Sequence, residues 1–318
     1  MVLKQVDRIT IKRTDLNVSP ICMGGCPLGG YGWGNTEHDS LINTVREAVN
    51  SGINFFDTAD VYGLGESERN LAEALGSDTN KVVIMTKFGV RNENGKSFYD
   101  NSPEYIQKAV EGSLRRLNRD YIDLYQVHYR DGKTPLAAVA EELEKLKKQG
   151  KIRYFGLSNI HKQDIDELST FKENPFVSFQ DEYSLACRKN EEDMFLFRDE
   201  FNMTPFTWGS LGQGILTGKY DKNCVFDSND RRSREIYVNF HGEKLLKNLD
   251  IVETMKEISA EIGKSVSAIA IRWILDYLKG SVVLVGAKKP TQIKSNAEAL
   301  GWELTAKQIE ILEKISRG

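Results

Sequence analysis

Residues 122–159 read IDLYQVHYRDGKTPLAAVAEELEKLKKQGKIRYFGLSN, and the fold follows from how this stretch changes period. The segment IDLYQVHY at 122–129 is dense in β-branched and aromatic residues, which suit a buried strand. At 135–151, PLAAVAEELEKLKKQGK turns to helical spacing and closes with lysines, which the negative end of a helix dipole favours. YFGLSN at 154–159 is a strand again. Strand, helix and strand in that order imply two parallel strands joined by a right-handed crossover.

Outward from this unit the same alternation recurs. Further strand candidates are ICMG at 21–24, INFFDTA at 53–59, KVVIMTKF at 81–88, FVSFQDEY at 176–183, PFTWGSL at 205–211 and VVLVGA at 282–287, which makes eight in all. Between them, SPEYIQKAVEGSLRRLN at 102–118 predicts a helix capped by Ser102, with Pro103 in its first position and Ile106, Val110, Leu114 and Leu117 on one face. RITIKRTDLNVSP at 8–20 reads as a hairpin ahead of the first strand. Eight such units close into a barrel. The competing open doubly wound sheet wants a GxGxxG turn after its first strand, and GGCPLGGYGWG at 24–34 lacks it. The long interval 212–281 holds two helices and a charged run, DSNDRRSRE at 227–235, read as a hydrated loop. The expectation is an α/β fold: one (β/α)8 TIM-barrel domain over residues 1–318, with an N-terminal β-hairpin and extra C-terminal helices.

Bulk properties narrow the function. With 43 Lys and Arg against 46 Asp and Glu, the net charge of -3 is near balance and offers no basic face, so no nucleic-acid partner is expected. Four cysteines are too few and too irregular for a disulfide framework. Cys22 and Cys26 have no second pair at zinc spacing, so no metal is expected and the thiols read as buried. No apolar run approaches the ~20 residues that span a bilayer, which excludes a membrane partner by this criterion and makes the cytoplasm the default location.

The candidate strands end in polar residues, where a barrel gathers its active site. Asp57 stands at the end of the second, with Tyr62 five residues on; Lys87 ends the third, His128 the fourth, Ser158 and Asn159 the fifth, and Gln180 lies in the sixth. A tyrosine, with a reference pKa of ~10, is a poor acid until a nearby ammonium stabilises its phenolate, and Lys87 is placed to do so with Asp57 holding it. His128 can orient a substrate carbonyl. No side chain donates hydride, so a reduction here needs a nicotinamide cofactor.

At these residues the chain resembles the aldo-keto reductase family, most closely its bacterial and potassium-channel β-subunit-like branch. GINFFDTADVYGLGESERNLAEAL at 52–75, IMTKF at 84–88, DYIDLYQVHY at 120–129 and GKIRYFGLSN at 150–159 carry the resemblance. It implies reversible, NADP(H)-dependent carbonyl reduction with Asp57, Tyr62, Lys87 and His128 as the catalytic tetrad. Ser158, Asn159 and Gln180 would then bind the nicotinamide carboxamide, and Trp208 would stack on its ring. By the same resemblance Gly209, Ser210 and Leu211 follow that aromatic, Gly214 and Lys219 of GILTGKY hold the pyrophosphate, and Gly286, Lys288, Gln292 and Asn296 receive the adenosine and its 2′-phosphate. Gly25 is also expected at the cofactor. Trp33, Tyr129 and residues of the 224–241 loop are the expected substrate wall, for a small-molecule carbonyl. Two other readings use the same residues: a cofactor-holding regulatory subunit acting as a redox sensor, and a lyase forming a Schiff base on Lys87.

Overall fold

The computed structural model describes residues 7–30 and 32–317. β1 (Ile9–Thr10) and β2 (Asn17–Val18) pair antiparallel as the N-terminal hairpin. β3 (Ile21–Gly24), β4 (Phe55–Asp57) and β5 (Val83–Phe88) follow. β6 (Val90–Glu93) and β7 (Lys96–Tyr99) form a second hairpin. β8 (Ile122–Val127), β9 (Ile152–Ser158), β10 (Ser178–Glu182), β11 (Thr204–Trp208) and β12 (Val282–Gly286) complete the set. Eight of these strands close a barrel in the order β10-β11-β12-β3-β4-β5-β8-β9, and every neighbouring pair is parallel.

Each expected barrel strand is present. The strands end earlier than their sequence runs imply: His128, Asn159 and residues 209–211 lie just beyond the ladders, in loops at the mouth. Two of them remain tied to a neighbouring strand, because His128 N donates to Phe88 O at 2.8 Å and Asn159 N to Gln180 O at 2.8 Å. The β6–β7 hairpin was not foreseen. Its signal was there in Asn94-Gly95, which adopt φ of 52° and 78°, the left-handed pair that a two-residue hairpin turn demands.

Side chains alternate between two apolar layers, as the period of a strand requires. Inside the barrel, Cys22, Phe55, Met85, Leu124, Phe206 and Leu284 pack with Ile11, Leu16 and Val18 from the N-terminal segment, so the hairpin plugs the bottom. Outward-facing residues such as Met23, Phe56, Ile84 and Phe179 meet the helices. These are α1 (His38–Asn50), α2 (Glu66–Leu75), α3 (Pro103–Leu117), α4 (Leu136–Lys148), α5 (Ile165–Leu168), α6 (Glu191–Asp199), α7 (Gly242–Ile262), α8 (Val266–Tyr277), α9 (Pro290–Ala297) and α10 (Ala306–Arg317). α10 extends past the last barrel unit and packs on α7 and α8. Among the described residues, no helix is long and apolar enough to cross a membrane.

α3 forms where its sequence says it should. Ser102 Oγ accepts from Tyr105 N at 3.3 Å, Pro103 opens the helix, and Ile106, Val110, Leu114 and Leu117 are buried. Ser102→Ala leaves an amide of the first turn without its side-chain acceptor, and in a urea titration should lower stability by about 1 kcal/mol.

Candidate active site

The inward-facing residues become polar towards the mouth. Gly24 pairs with Asp57, Lys87 with Gln126 and Ser158 with Gln180 across adjacent strands. Asp57 and Lys87 form an ion pair through Oδ1, with side-chain exposures of 4% and 0%. Lys87 Nζ also donates to Thr58 O at 3.0 Å, and Gln180 Nε2 donates to Asp57 Oδ1 at 3.4 Å. A second polar layer, missed in the sequence, supports this pair. Gln180 Nε2 reaches Gln126 Oε1 at 3.2 Å, and Gln126 Nε2 reaches Ser178 Oγ at 3.2 Å. Gly156 makes room for it, since a Cβ there would collide with Ser178 Oγ.

Tyr62 stands on the turn between β4 and α2. Its backbone is fixed from below, where Gly29 and Gly63 approach so closely that a Cβ on Gly29 would lie 2.7 Å from Gly63 N. Lys87 Nζ lies 5.1 Å from the centre of the Tyr62 ring, and the His128 ring meets Tyr62 edge-on at 5.6 Å. His128 stacks on Tyr129 at 5.0 Å, and Tyr129 stacks on Tyr99 of the second hairpin at 5.0 Å.

Burial decides the protonation states. It lifts the Tyr62 phenol well above its ordinary value, the charge of Asp57 adds to the lift, and Arg231 opposes it. The expected acidification of Tyr62 by Lys87 is therefore corrected: desolvation outweighs it, and Lys87 directs its ammonium at Asp57 and Thr58 O. Burial also drives His128 well below the imidazole range, with Lys87 reinforcing the effect, so this ring is neutral at physiological pH. Asp57 is raised by burial, against the pull of Lys87 and Gln180.

Tyr62, His128 and Asp57 line one cavity of about 660 Å³. Of the residues expected to line it, Trp33, Tyr129, Ser158, Asn159, Gln180, Trp208, Gly209, Ser210, Leu211, Gly214, Lys219, Gly286, Lys288, Gln292 and Asn296 all do. Lys87 does not; it is buried behind the Tyr62 ring, away from any carbonyl substrate that would form an imine with it. Gly25 does not either. It lies against Asp57 O and Ser67 Oγ, and Gly24 faces the cavity instead. Ser158, Asn159 and Trp208 form a chain: Asn159 Nδ2 donates to His128 O at 2.9 Å and to Ser158 Oγ at 3.0 Å, and Trp208 Nε1 donates to Asn159 Oδ1 at 3.2 Å. Gln292 is partly committed, its Oε1 accepting from Lys288 N at 2.8 Å at the start of α9.

Two readings of the polar loops change. Cys22 alone is fully buried, while Cys26 is half-buried, lines the cavity and accepts from Trp33 Nε1 at 3.3 Å. The run 227–235 is not simply hydrated. Asp230 is 4% exposed, pairs as a β-bridge with Trp33, and binds Arg232 through both carboxylate oxygens at 2.9 and 2.6 Å. Arg231 and Arg232 both line the cavity. Lys288 Nζ donates to Trp33 O, so two loops and the end of β12 meet above the cleft. Among the described residues, no group of three or more His, Cys, Asp or Glu gathers as a metal site.

The aldo/keto reductase family model matches residues 20–317. This chain belongs to the aldo/keto reductase family. It is 34% identical over 301 residues to the aldo-keto reductase YhdN of Bacillus subtilis, covering 93% of this chain and 89% of that protein. It is 29% identical to the NADH-specific methylglyoxal reductase of Escherichia coli, over 97% of this chain and 98% of the relative. The solved glycerol dehydrogenase AKR11B4 of Gluconobacter oxydans superposes with a TM-score of 0.88 at 34% identity, covering 97% of this chain and 94% of that one. The fold also matches that of the Klebsiella pneumoniae aldo/keto reductase solved with NADP and acetate, at a TM-score of 0.73, 22% identity, and coverages of 98% and 96%. The chain is thus an oxidoreductase of this family.

Between Asp57 and Tyr62, Asp60 carries a pH dependence. One of its oxygens accepts from Tyr105 Oη at 3.2 Å and the other is buried without a partner. Burial, helped by the charge of Glu68, pushes its carboxyl up to about 7. An unfolded chain releases this proton near ~3.9, so the native state gains stability from holding it at low pH and loses that gain as pH rises towards the folded value. Asp60→Asn should become progressively more stable relative to the parent protein between about pH 4 and about pH 7 in paired thermal melts, with the difference levelling off above that. A difference in melting temperature that does not change with pH would contradict this.

Proposed function

We propose that this chain is an NADP(H)-dependent carbonyl reductase that interconverts an aldehyde or ketone and its alcohol, with Tyr62 as acid and base. One observation carries the reading: Tyr62, His128 and Asp57 of the Asp57–Lys87 pair meet on the wall of a cavity whose other charged lining is cationic. Lys219, Arg231, Arg232 and Lys288 line it, and Asp57 is the one carboxylate among the described lining residues. Such a lining suits a ligand with several phosphates. Lys219 and Lys288 would hold phosphates, the latter beside the N-terminal end of α9, which favours anions. Ser158, Asn159 and Gln180 would hold the carboxamide; Asn159 Oδ1 keeps a lone pair beyond the one that Trp208 uses.

A bound nicotinamide supplies hydride to the carbonyl carbon. Tyr62 supplies the proton: its O–H bond breaks as the carbonyl oxygen becomes a hydroxyl. The raised phenol is protonated at neutral pH, which is the state that reduction needs. As the proton leaves, the phenolate forms beside the Lys87 ammonium, whose charge offsets the new negative charge. His128, being neutral, meets the carbonyl oxygen without adding a charge to the site. Tyr62→Phe should abolish multiple turnover of any aldehyde while retaining NADPH binding measured by fluorescence. Unchanged turnover would refute the assignment.

The choice of cofactor rests on this chain's own residues, since the relatives named above differ. No carboxylate among the described lining residues at α9 could accept from a free 2′-hydroxyl, and Lys288 lies at that end of the cavity. Lys288→Ala should weaken NADPH binding by about ten- to a hundredfold, the scale of one charge-assisted contact, and leave NADH nearly unchanged. Because Lys288 also donates to Trp33 O, equal losses for both cofactors would assign it to the loop bridge instead.

A further inference from the structure

The cations of the cavity fall into two groups. Arg232 donates to Tyr220 Oη at 2.6 Å and to Asp230, and the charges of Arg232, Asp230, Lys219 and Lys289 all act on Lys288. These groups surround one end. Arg231, the residue before Arg232, turns to a different partner. Its guanidinium lies 5.4 Å from the centre of the Trp33 ring, over the face of the indole. A Cβ on Gly32 would collide with that guanidinium, so the glycine leaves room for the stack.

The indole that carries Arg231 is itself tied to the catalytic turn. Trp33 Nε1 donates to Cys26 Sγ at 3.3 Å, and the turn Cys26–Gly29 is packed on the backbone of Tyr62 and Gly63. Arg231 N donates to Gly32 O at 3.1 Å, which fixes the base of the side chain as well. Burial raises both Tyr62 and Cys26, and the charge of Arg231 acts on each in the opposite direction. Arg231 is thus a fixed cation on the side of the cavity where the carbonyl must lie, held by a chain of contacts that leads to the proton donor. A planar guanidinium on an aromatic plate presents its N–H groups edge-on, the geometry that pairs with a carboxylate or phosphate.

We propose that Arg231 is a specificity residue which favours small aldehydes bearing an oxyanion, carboxylate or phosphate, at the end of the molecule remote from the carbonyl. The assignment rests on the carbonyl-reductase reading above. It goes beyond that reading in naming a charged substrate class and the side chain that selects it.

The test compares matched pairs at saturating NADPH: succinic semialdehyde against butanal, and glyceraldehyde 3-phosphate against glyceraldehyde. The readout is the ratio of kcat/KM, anionic over neutral, for the parent protein, Arg231→Leu and Arg231→Lys, with NADPH affinity measured separately by fluorescence. The parent should prefer the anionic member of at least one pair, and the pair with the larger ratio identifies the oxyanion. In Arg231→Leu that ratio should fall by about ten- to a hundredfold, and Arg231→Lys should recover part of it. If the leucine variant does not fold, Arg231→Gln carries the same comparison. Turnover without anionic preference in the parent, or a ratio unmoved by the substitution, overturns this proposal alone. So does a loss of NADPH affinity that equals the loss in kcat/KM, which would place Arg231 on the cofactor. A parent protein that turns over none of the four aldehydes overturns the reductase reading as well.

Discussion

An ammonium and a carboxylate inside a β-barrel are each costly to desolvate, and the Asp57–Lys87 pair makes the site depend on their being desolvated together. Below them the barrel is apolar, filled by Phe55, Met85, Leu124 and Phe206 and stoppered by the N-terminal hairpin. At this boundary Thr58 O accepts a further hydrogen bond from the ammonium and the Gln180 amide donates one to the carboxylate, which offsets part of the cost of burying them. Removing one partner would leave the other as an uncompensated charge, a change that in buried pairs typically costs about 3–5 kcal/mol. Tyr62 and His128 both take their protonation states from this arrangement. Burial keeps the phenol protonated and the imidazole neutral, with the charge of Asp57 reinforcing the first and that of Lys87 the second.

Much of this was legible because strands expose their period. Asp57, Lys87 and His128 stand at the ends of short apolar runs and Gln180 lies within another, and once eight such runs are read as a barrel their ends must converge. Gln126 and Gly156 share that geometry, yet their meaning depends on Ser178 in a strand distant along the chain, and no single run displays it. The acidity of Tyr62 differs from the sequence expectation for a related reason. Residue types announced the ammonium, whereas the depth of burial that outweighs it is a property of the assembled barrel.

The loops were harder to read. DSNDRRSRE has the composition of a hydrated segment, and nothing within it reveals that Asp230 pairs with Trp33 or that Arg231 and Arg232 turn inward. That contact is set by where the loops after β3 and β11 leave the barrel. The second hairpin shows the opposite case: Asn94-Gly95 is a strong local turn signal, but the strands beside it are largely exposed and lack the apolar alternation that marks the others. Its Tyr99 nonetheless extends the aromatic wall begun by His128 and Tyr129.

β3 has β12 as one of its two neighbours, with Ile21 opposite Val283 and Gly24 opposite Gly286. During synthesis the first barrel strand therefore leaves the ribosome long before its partner, with one edge of hydrogen-bonding groups unpaired. The hairpin is in the same position: Ile11, Leu16 and Val18 have their seat only when the cylinder has closed around it. Neighbours from β3 to β11 pair in chain order, whereas closing the ring around its stopper requires β12, which joins the two ends of the barrel. Contacts this distant in sequence carry a large loop-closure entropy and slow the final step, leaving an open edge and an apolar plug exposed to other chains until β12 arrives.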